Sequence, residues 1–280
     1  MLDEVIERVE AGVRTTVDRE GLLRKRRTVG ARAARGTWVR IEARPVAKLV
    51  EQGQPGDGLE AAHLLDGVAT PRWLGGMSWP DPARGLVWRA DEIELITSAP
   101  VRARGSIRSD LELPGEWWQT LTTSLDNLSR RHTTRIATPD TEPITQDLVT
   151  ATIRSVFRAE TDTGGGGGVD LTVTDHPWTV AHADLNWSNI TGPECWLLDW
   201  EDHGLAPRGL DAATLWIDSL SVDWLAERVR RERRDGLDNH SGRVMTLLRC
   251  AKVLADPSVP AGIAGRTRAV ADDVLTRLRA

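Results

Sequence analysis

The chain opens on an apolar stripe at helical spacing: Leu2, Val5, Ile6, Val9 and Val13 recur every three or four residues. That period predicts one amphipathic helix with a single face turned inward. Over residues 22–45 the pattern shortens. Apolar pieces (Leu22-Leu23, Thr28-Val29, Trp38-Val39-Arg40-Ile41) are separated by Gly30 and Gly36, which reads as strands joined by tight turns at the two glycines. A loop over 52–58 and a short helix over 59–65 follow. Two more strands, 71–78 and 86–97, flank Trp79-Pro-Asp-Pro-Ala-Arg-Gly85, whose turn-forming residues predict a hairpin. Ser98-Ala-Pro100 is a hinge candidate.

Beyond the hinge the period becomes helical. Within 114–132, Trp117, Leu121, Leu125 and Leu128 make a continuous apolar stripe. A polar loop (133–143), a helix (144–157) and a glycine-rich slack loop (162–168) come next. Strands are expected at 179–181 and 196–198, and helices at 209–220, 223–235, 241–255 and 266–279. Strands gathered before a hinge and helices after it predict an α+β fold of two lobes. Residues 1–98 form the small, mostly-β lobe, and 99–280 the larger helical one.

Composition adds little to this picture. The 280 residues are 40% hydrophobic and 28% charged, enough for a real core, and the net charge of −5 singles out no partner. Cys195 and Cys250 lie far apart without metal-ligand spacing, so they read as buried thiols, in keeping with a reducing cytoplasm. The acidic, amphipathic start predicts no signal peptide, and no apolar run approaches the roughly 20 residues that span a bilayer. Twelve tryptophans beside one phenylalanine and no tyrosine reflect GC-rich codon usage.

The candidate chemistry lies in residues 182–202. Phosphoryl transfer needs a carboxylate to take the acceptor's proton, hard oxygen ligands for Mg²⁺ and a cation on the phosphates. Asp184 follows a strand on a loop, where it can approach a hydroxyl. Asn189 stands five residues on, with an amide oxygen to offer a metal. After a turn at Thr191-Gly-Pro193, the apolar stretch from Cys195 to Leu198 delivers Asp199 to the same edge. A strand–loop–strand hairpin would bring these three together.

His182-Ala-Asp-Leu-Asn-Trp-Ser-Asn189, then Leu198-Asp199-Trp200-Glu201, Gly204 and Gly209-Leu-Asp-Ala-Ala213, resembles the aminoglycoside phosphotransferase and choline kinase family of the protein-kinase-like fold. The resemblance implies that Asp184 is the catalytic base and that Asn189 and Asp199 are the magnesium ligands. By the same resemblance His182 braces the catalytic loop and Asp211 is a buried acceptor for that loop's amides. Glu201 would lie on the metal side. Residues 38–41 stand where the family's third strand carries its phosphate-binding lysine, Glu60 where the lysine's glutamate partner sits, and the turn around Gly30 where the nucleotide loop belongs. Here the chain departs from the family: it offers Arg40 in place of lysine, with Lys48 as a substitute off the strand. Arginine keeps the charge in a longer, forked geometry.

The implied activity is transfer of the ATP γ-phosphate, with Mg²⁺ and with GTP as the alternative donor, to a hydroxyl of an antibiotic, sugar, nucleoside or similar metabolite. The expected protein is a cytoplasmic monomer or homodimer with no nucleic-acid or membrane partner. The alternative is a pseudokinase, which the arginine favours. The glycine run at 164–168 lacks the lysine and Ser/Thr of a Walker loop. Asp202 and His203 beside His182 lack the further ligands a metal hydrolase requires. Trp187 reads as packing against the C-terminal helices rather than as a stacking platform. The basic run Arg24-Lys-Arg-Arg27, with Arg32, Arg35, Arg40 and Arg44, reads as a strand face beside a nucleoside triphosphate, since no recognised nucleic-acid module accompanies it. Residues 222–280 hold 12 Lys or Arg against 8 Asp or Glu, which argues for a neutral or anionic acceptor over a cationic one.

Overall fold

The structure, a computed structural model, describes residues 2–25, 27–53, 56–102, 107, 111–162, 168–174 and 177–280. Helix α1 (Leu2–Val13) buries Val5, Ile6 and Val9 on the expected face. It packs on an antiparallel sheet of β1 (Leu23–Arg24), β2 (Thr28–Ala33), β3 (Thr37–Pro45), β4 (Trp73–Asp81) and β5 (Leu86–Glu94), in the order β1-β2-β3-β5-β4. Two turns differ from expectation. Gly30 is not a turn: it pairs with Arg40 in mid-strand, and a Cβ there would lie 2.3 Å from the Trp38 ring. Glycine is needed at that point for an indole laid across the strand. Between β1 and β2 the Lys25 amide instead donates to Thr28 O at 2.8 Å. The β4–β5 turn closes at Gly85 (φ 63°), inside the expected joint, but is shorter: β4 continues to Asp81, with Trp79 paired to Trp88 and their rings stacked 6.2 Å apart.

Between β3 and β4 lie α2 (Val46–Gln52) and the short α3 (Gly58–Ala62). Ala62 is buried in the core of the helical lobe, with Trp117, Trp118, Trp187 and Trp200. Gly58 explains the approach: a Cβ there would sit 2.5 Å from the Glu201 Cα and the Trp200 carbonyl.

The chain then crosses through β6 (Ala99–Pro100) into α4 (Gly115–Ser129) and α5 (Gln146–Thr161). Strand β7 (Trp178–Ala181) follows, then β8 (Thr191–Gly192), which pairs with β6, and β9 (Gly204–Pro207), which pairs with β7. Helices α6 (Leu210–Asp218), α7 (Asp223–Glu232), α8 (Arg234–Leu237), α9 (His240–Ala255) and α10 (Ala261–Arg279) complete the lobe. The expected strand at 196–198 reduces to one bridge, Ile190 to Leu197. The bridge is made by the Leu198 amide donating to Asn189 O at 2.8 Å and the Thr191 amide donating to Trp196 O at 3.1 Å, while the Leu197 amide is taken elsewhere, by Ala69 O at 2.8 Å. Of the glycine-rich loop, residues 163–167 lie outside the described residues. The result is an α+β fold of two lobes. Among the described residues no helix is long and apolar enough to cross a membrane.

Candidate active site

The loop after β7 is held by one buried carboxylate. Asp211, in the first turn of α6, accepts the amides of His182 at 2.7 Å and Ala183 at 3.0 Å. Those bonds offset the left-handed backbone of Ala183 (φ 71°), which costs a non-glycine residue about 1–2 kcal/mol. Burial pushes the Asp211 carboxyl above the ordinary range. Gly209 begins the same helix at φ 99°, where a Cβ would lie 2.5 Å from Gly236 O. The His182 ring is fully buried against Trp200, 4.5 Å between centroids. Its Nε2 donates to Leu198 O at 2.8 Å and its Nδ1 accepts the Asp184 amide at 3.3 Å, so one tautomer satisfies both.

Asp184 is oriented by two amides. Asn186 Nδ2 donates to Oδ1 at 2.9 Å, and Asn189 Nδ2 donates to Oδ2 at 2.8 Å and to the Asp184 carbonyl at 2.9 Å. Both amide protons of Asn189 are thereby committed to Asp184, and among the described residues its Oδ1 accepts no hydrogen bond. Burial raises the Asp184 carboxyl above its ordinary value, with His182 and the two asparagines pulling the other way.

Asp199 (φ 67°) stands at the head of the 3₁₀ turn Trp200–Asp202. Arg40, on β3, reaches it: Nη2 lies 3.3 Å from Asp199 Oδ1, 3.7 Å from Glu42 Oε2 and in contact with Glu201. Arg44 adds ion pairs to Glu42 at 2.8 Å and Glu201 at 3.7 Å. Three carboxylates thus face two guanidinium groups. Burial, reinforced by Asp199 and Glu42 against the pull of Arg40, pushes Glu201 up to about 8. Asp199 goes the other way: burial opposes its charge, but Arg40, a hydrogen bond with Glu201 and the more distant Lys25 hold it below the ordinary carboxylate value.

Glu60 does not join this cluster, contrary to the expectation that it pairs with Arg40. It meets Arg89 Nη2 at 2.9 Å. With α3 docked on the 3₁₀ turn, Glu42 and Glu201 take the place expected of Glu60. Asp202 and His203 are also occupied structurally: Thr138 Oγ1 donates to Asp202 at 2.7 Å, and His203 Nδ1 donates to Trp200 O at 2.7 Å. Among the described residues no three His, Cys, Asp or Glu side chains are arranged to hold a metal. Asn189 Oδ1 and the Asp199 carboxylate remain as the hard oxygen donors, a set in keeping with a magnesium ion that retains most of its water and phosphate ligands.

Solved structures with the same architecture are numerous. Amicoumacin kinase hAmiN, in complex with AMP-PNP, Ca²⁺ and Ami, superposes at a TM-score of 0.53 and 12% identity, covering 98% of this chain and 93% of that one. A thermostable mutant of aminoglycoside phosphotransferase APH(4)-Ia gives 0.55 at 12% identity, covering 94% and 95%. The streptomycin–ATP–APH(2")-IIa ternary complex gives 0.54 at 8% identity, covering 96% and 95%. This is the antibiotic-phosphotransferase fold. No protein-family model matches the sequence, and no curated protein matches it.

Within this phosphotransferase fold, two features escaped the sequence. The first is a brace behind the loop. Arg102 binds Asp218 at 2.6 Å, Ser188 Oγ at 3.1 Å and Asn186 Oδ1 at 3.3 Å, while Asp218 also accepts the Trp187 amide at 3.2 Å. Asp218 stands seven residues after Asp211 on α6, hence on the same helix face, and that spacing was the available signal. The second is a cleft onto which Asp184 opens, bordered by Asp140, Arg249 and Lys252. Trp187 is fully buried, stacked on Trp117 at 6.1 Å, with Nε1 donating to Ser219 Oγ at 2.9 Å.

Proposed function

We propose that this chain transfers the γ-phosphoryl group of ATP, or of GTP as the alternative donor, to a hydroxyl of a small molecule. The observation that carries the reading is Asp184: a half-buried carboxylate fixed by two asparagine amides, facing a cleft, in a phosphotransferase fold. Asp184 aligns the acceptor hydroxyl and takes its proton as the new O–P bond forms, while the bond from the γ-phosphorus to the bridging oxygen breaks and ADP leaves. Asn189 and Asp199 would hold magnesium, which supplies charge neutralisation on the phosphates when bound. Asp211 and His182 keep the loop in register. Arg40 and Lys25, whose charges both act on Asp199, are assigned to the phosphates.

Replacing Asp184 by Asn tests the assignment. Acceptor-dependent ADP formation should fall by about 10²–10⁴-fold, the range of general-base contributions, with the melting curve little changed. Near-normal turnover in that variant would exclude the base. The alternative, a nucleotide-binding pseudokinase, draws on one observation: Arg40 is engaged by Asp199 and Glu201 rather than left free for phosphate. Magnesium-dependent nucleotide binding without turnover of any acceptor would favour it.

A further inference from the structure

The cleft beside Asp184 carries four charged side chains: Asp140, Asp184, Arg249 and Lys252. Three are already committed. Asp184 is held by Asn186 and Asn189, and Lys252 Nζ binds Asp140 Oδ2 at 2.6 Å. Arg249 is different. Among the described residues it makes no hydrogen bond and no ion pair, and its Nε is buried without an acceptor. The guanidinium, which lines the cleft, therefore has no counter-ion of its own among those residues.

The opposite wall is unusual as well. Asp140 and Thr141 are consecutive non-glycine residues at φ 60° and 68°. This left-handed pair places the Asp140 carboxylate at the rim, against Lys252, and close enough to Arg249 for that guanidinium to help lower its pKa. A cationic acceptor entering here would meet Arg249 and Lys252, and of the two carboxylates Asp140 is spent on Lys252 while Asp184 is held by two asparagine amides. The oxygen of a neutral acceptor can take an Arg249 N–H but leaves the guanidinium charge without a counter-ion. An anionic group satisfies it, since a guanidinium fork matches a carboxylate or a phosphate ester.

We infer that the acceptor is a small hydroxyl compound bearing an anionic group, bound by Arg249 and Lys252 with its hydroxyl on Asp184. This rests on the phosphotransfer reading above and sets the acceptor apart from the polycationic antibiotics that the resemblance suggests. The reaction is the one already written: the hydroxyl proton passes to Asp184, the O–P bond forms and ADP departs.

The test uses the full chain with Mg-ATP and six acceptors matched by scaffold and charge. The anionic members are D-glycerate and glucose 6-phosphate, the neutral ones glycerol and glucose, and the cationic ones choline and glucosamine. ADP release is expected with an anionic member, which of the two distinguishing carboxylate from phosphate recognition. Arg249→Gln should raise its KM at least tenfold with a far smaller change in kcat, and Arg249→Lys should recover part of the loss. Turnover of a neutral or cationic member at equal or lower KM, or an unchanged KM in Arg249→Gln, overturns the inference. The variants' melting curves and Mg-ATP affinities are read alongside, so that a collapsed site is recognised. Tryptophan-fluorescence titration with the same six compounds decides the matter where no ADP is released. Binding of an anionic member that Arg249→Gln weakens at least tenfold sustains the inference while counting against phosphotransfer. Anions that fail to bind, or that bind both proteins equally, overturn it.

Discussion

His203 shows how one buried group sets a pH limit on the fold. Burial, with Arg135 and His182 nearby, lowers its pKa to about 4, and Nδ1–H donates to Trp200 O. In the unfolded chain the same imidazole titrates at about 6.5. Between those values the unfolded state binds a proton that the folded state does not. The contribution is therefore whole above pH 6.5 and is lost as the pH falls toward 4, about 3 kcal/mol across the window. In chemical denaturation, the stability difference between wild type and His203→Gln should shrink from pH 7 to pH 4.5, because only the wild type loses this term. A constant difference would show that burial does not shift the imidazole from its unfolded pKa. Asp184, Asp202 and Asp211 are shifted upward by burial and act in the opposite sense. They are common to both proteins and cancel in the comparison.

At the scale of the element, the loop 182–189 is a rigid frame rather than a flexible arm. Asp211 holds its first amides, and Arg102 with Asp218 holds its last turn. Asp218→Asn leaves the shape but weakens the ion pair to Arg102, and a slackened loop should lose about tenfold to a hundredfold in kcat with KM changed far less. A loss confined to KM would place the network in ligand binding instead. Gly209→Ala should cost about 3 kcal/mol or more, read as a fall in denaturation midpoint, since it adds a clash with Gly236 O to a disallowed backbone.

These elements also mark what the sequence could and could not say. The grouping of Asp184, Asn189 and His182 was legible because its contacts are local, within a few residues along one loop. The interactions of Arg40, Glu60 and Arg102 were not. Their partners lie 29 to 161 residues away: Glu201 for Arg40, Arg89 for Glu60, Asp218 for Arg102. No periodicity encodes such distances. Gly30 misled for a related reason, because a glycine that admits an indole and a glycine that makes a turn look alike until Trp38 is seen lying across it.

At the scale of the molecule, the tryptophans join the lobes. Trp117, Trp118, Trp187 and Trp200 share one core with Ala62 from the region between β3 and β4. Trp187→Ala should cost about 3–5 kcal/mol, as a large aromatic truncated in a packed core. If Trp187 instead stacked on a ligand, the change would appear in KM with stability nearly intact.

The crossing segment from α2 to β4 is tied to the helical lobe at several points. Gln52 donates to Thr141 O at 3.1 Å, Asp57 pairs with Arg135, Ala69 O accepts the Leu197 amide at 2.8 Å, and Gly58 lies against Glu201. Domains joined by a slender linker rock about it by default, and their ligands pay for closing them in lost configurational freedom. Here the jaws are laced along one side, so little of that freedom exists to lose. Small-angle scattering of the free and nucleotide-saturated protein should give superimposable curves, and a contraction on saturation would show that the lacing opens in solution.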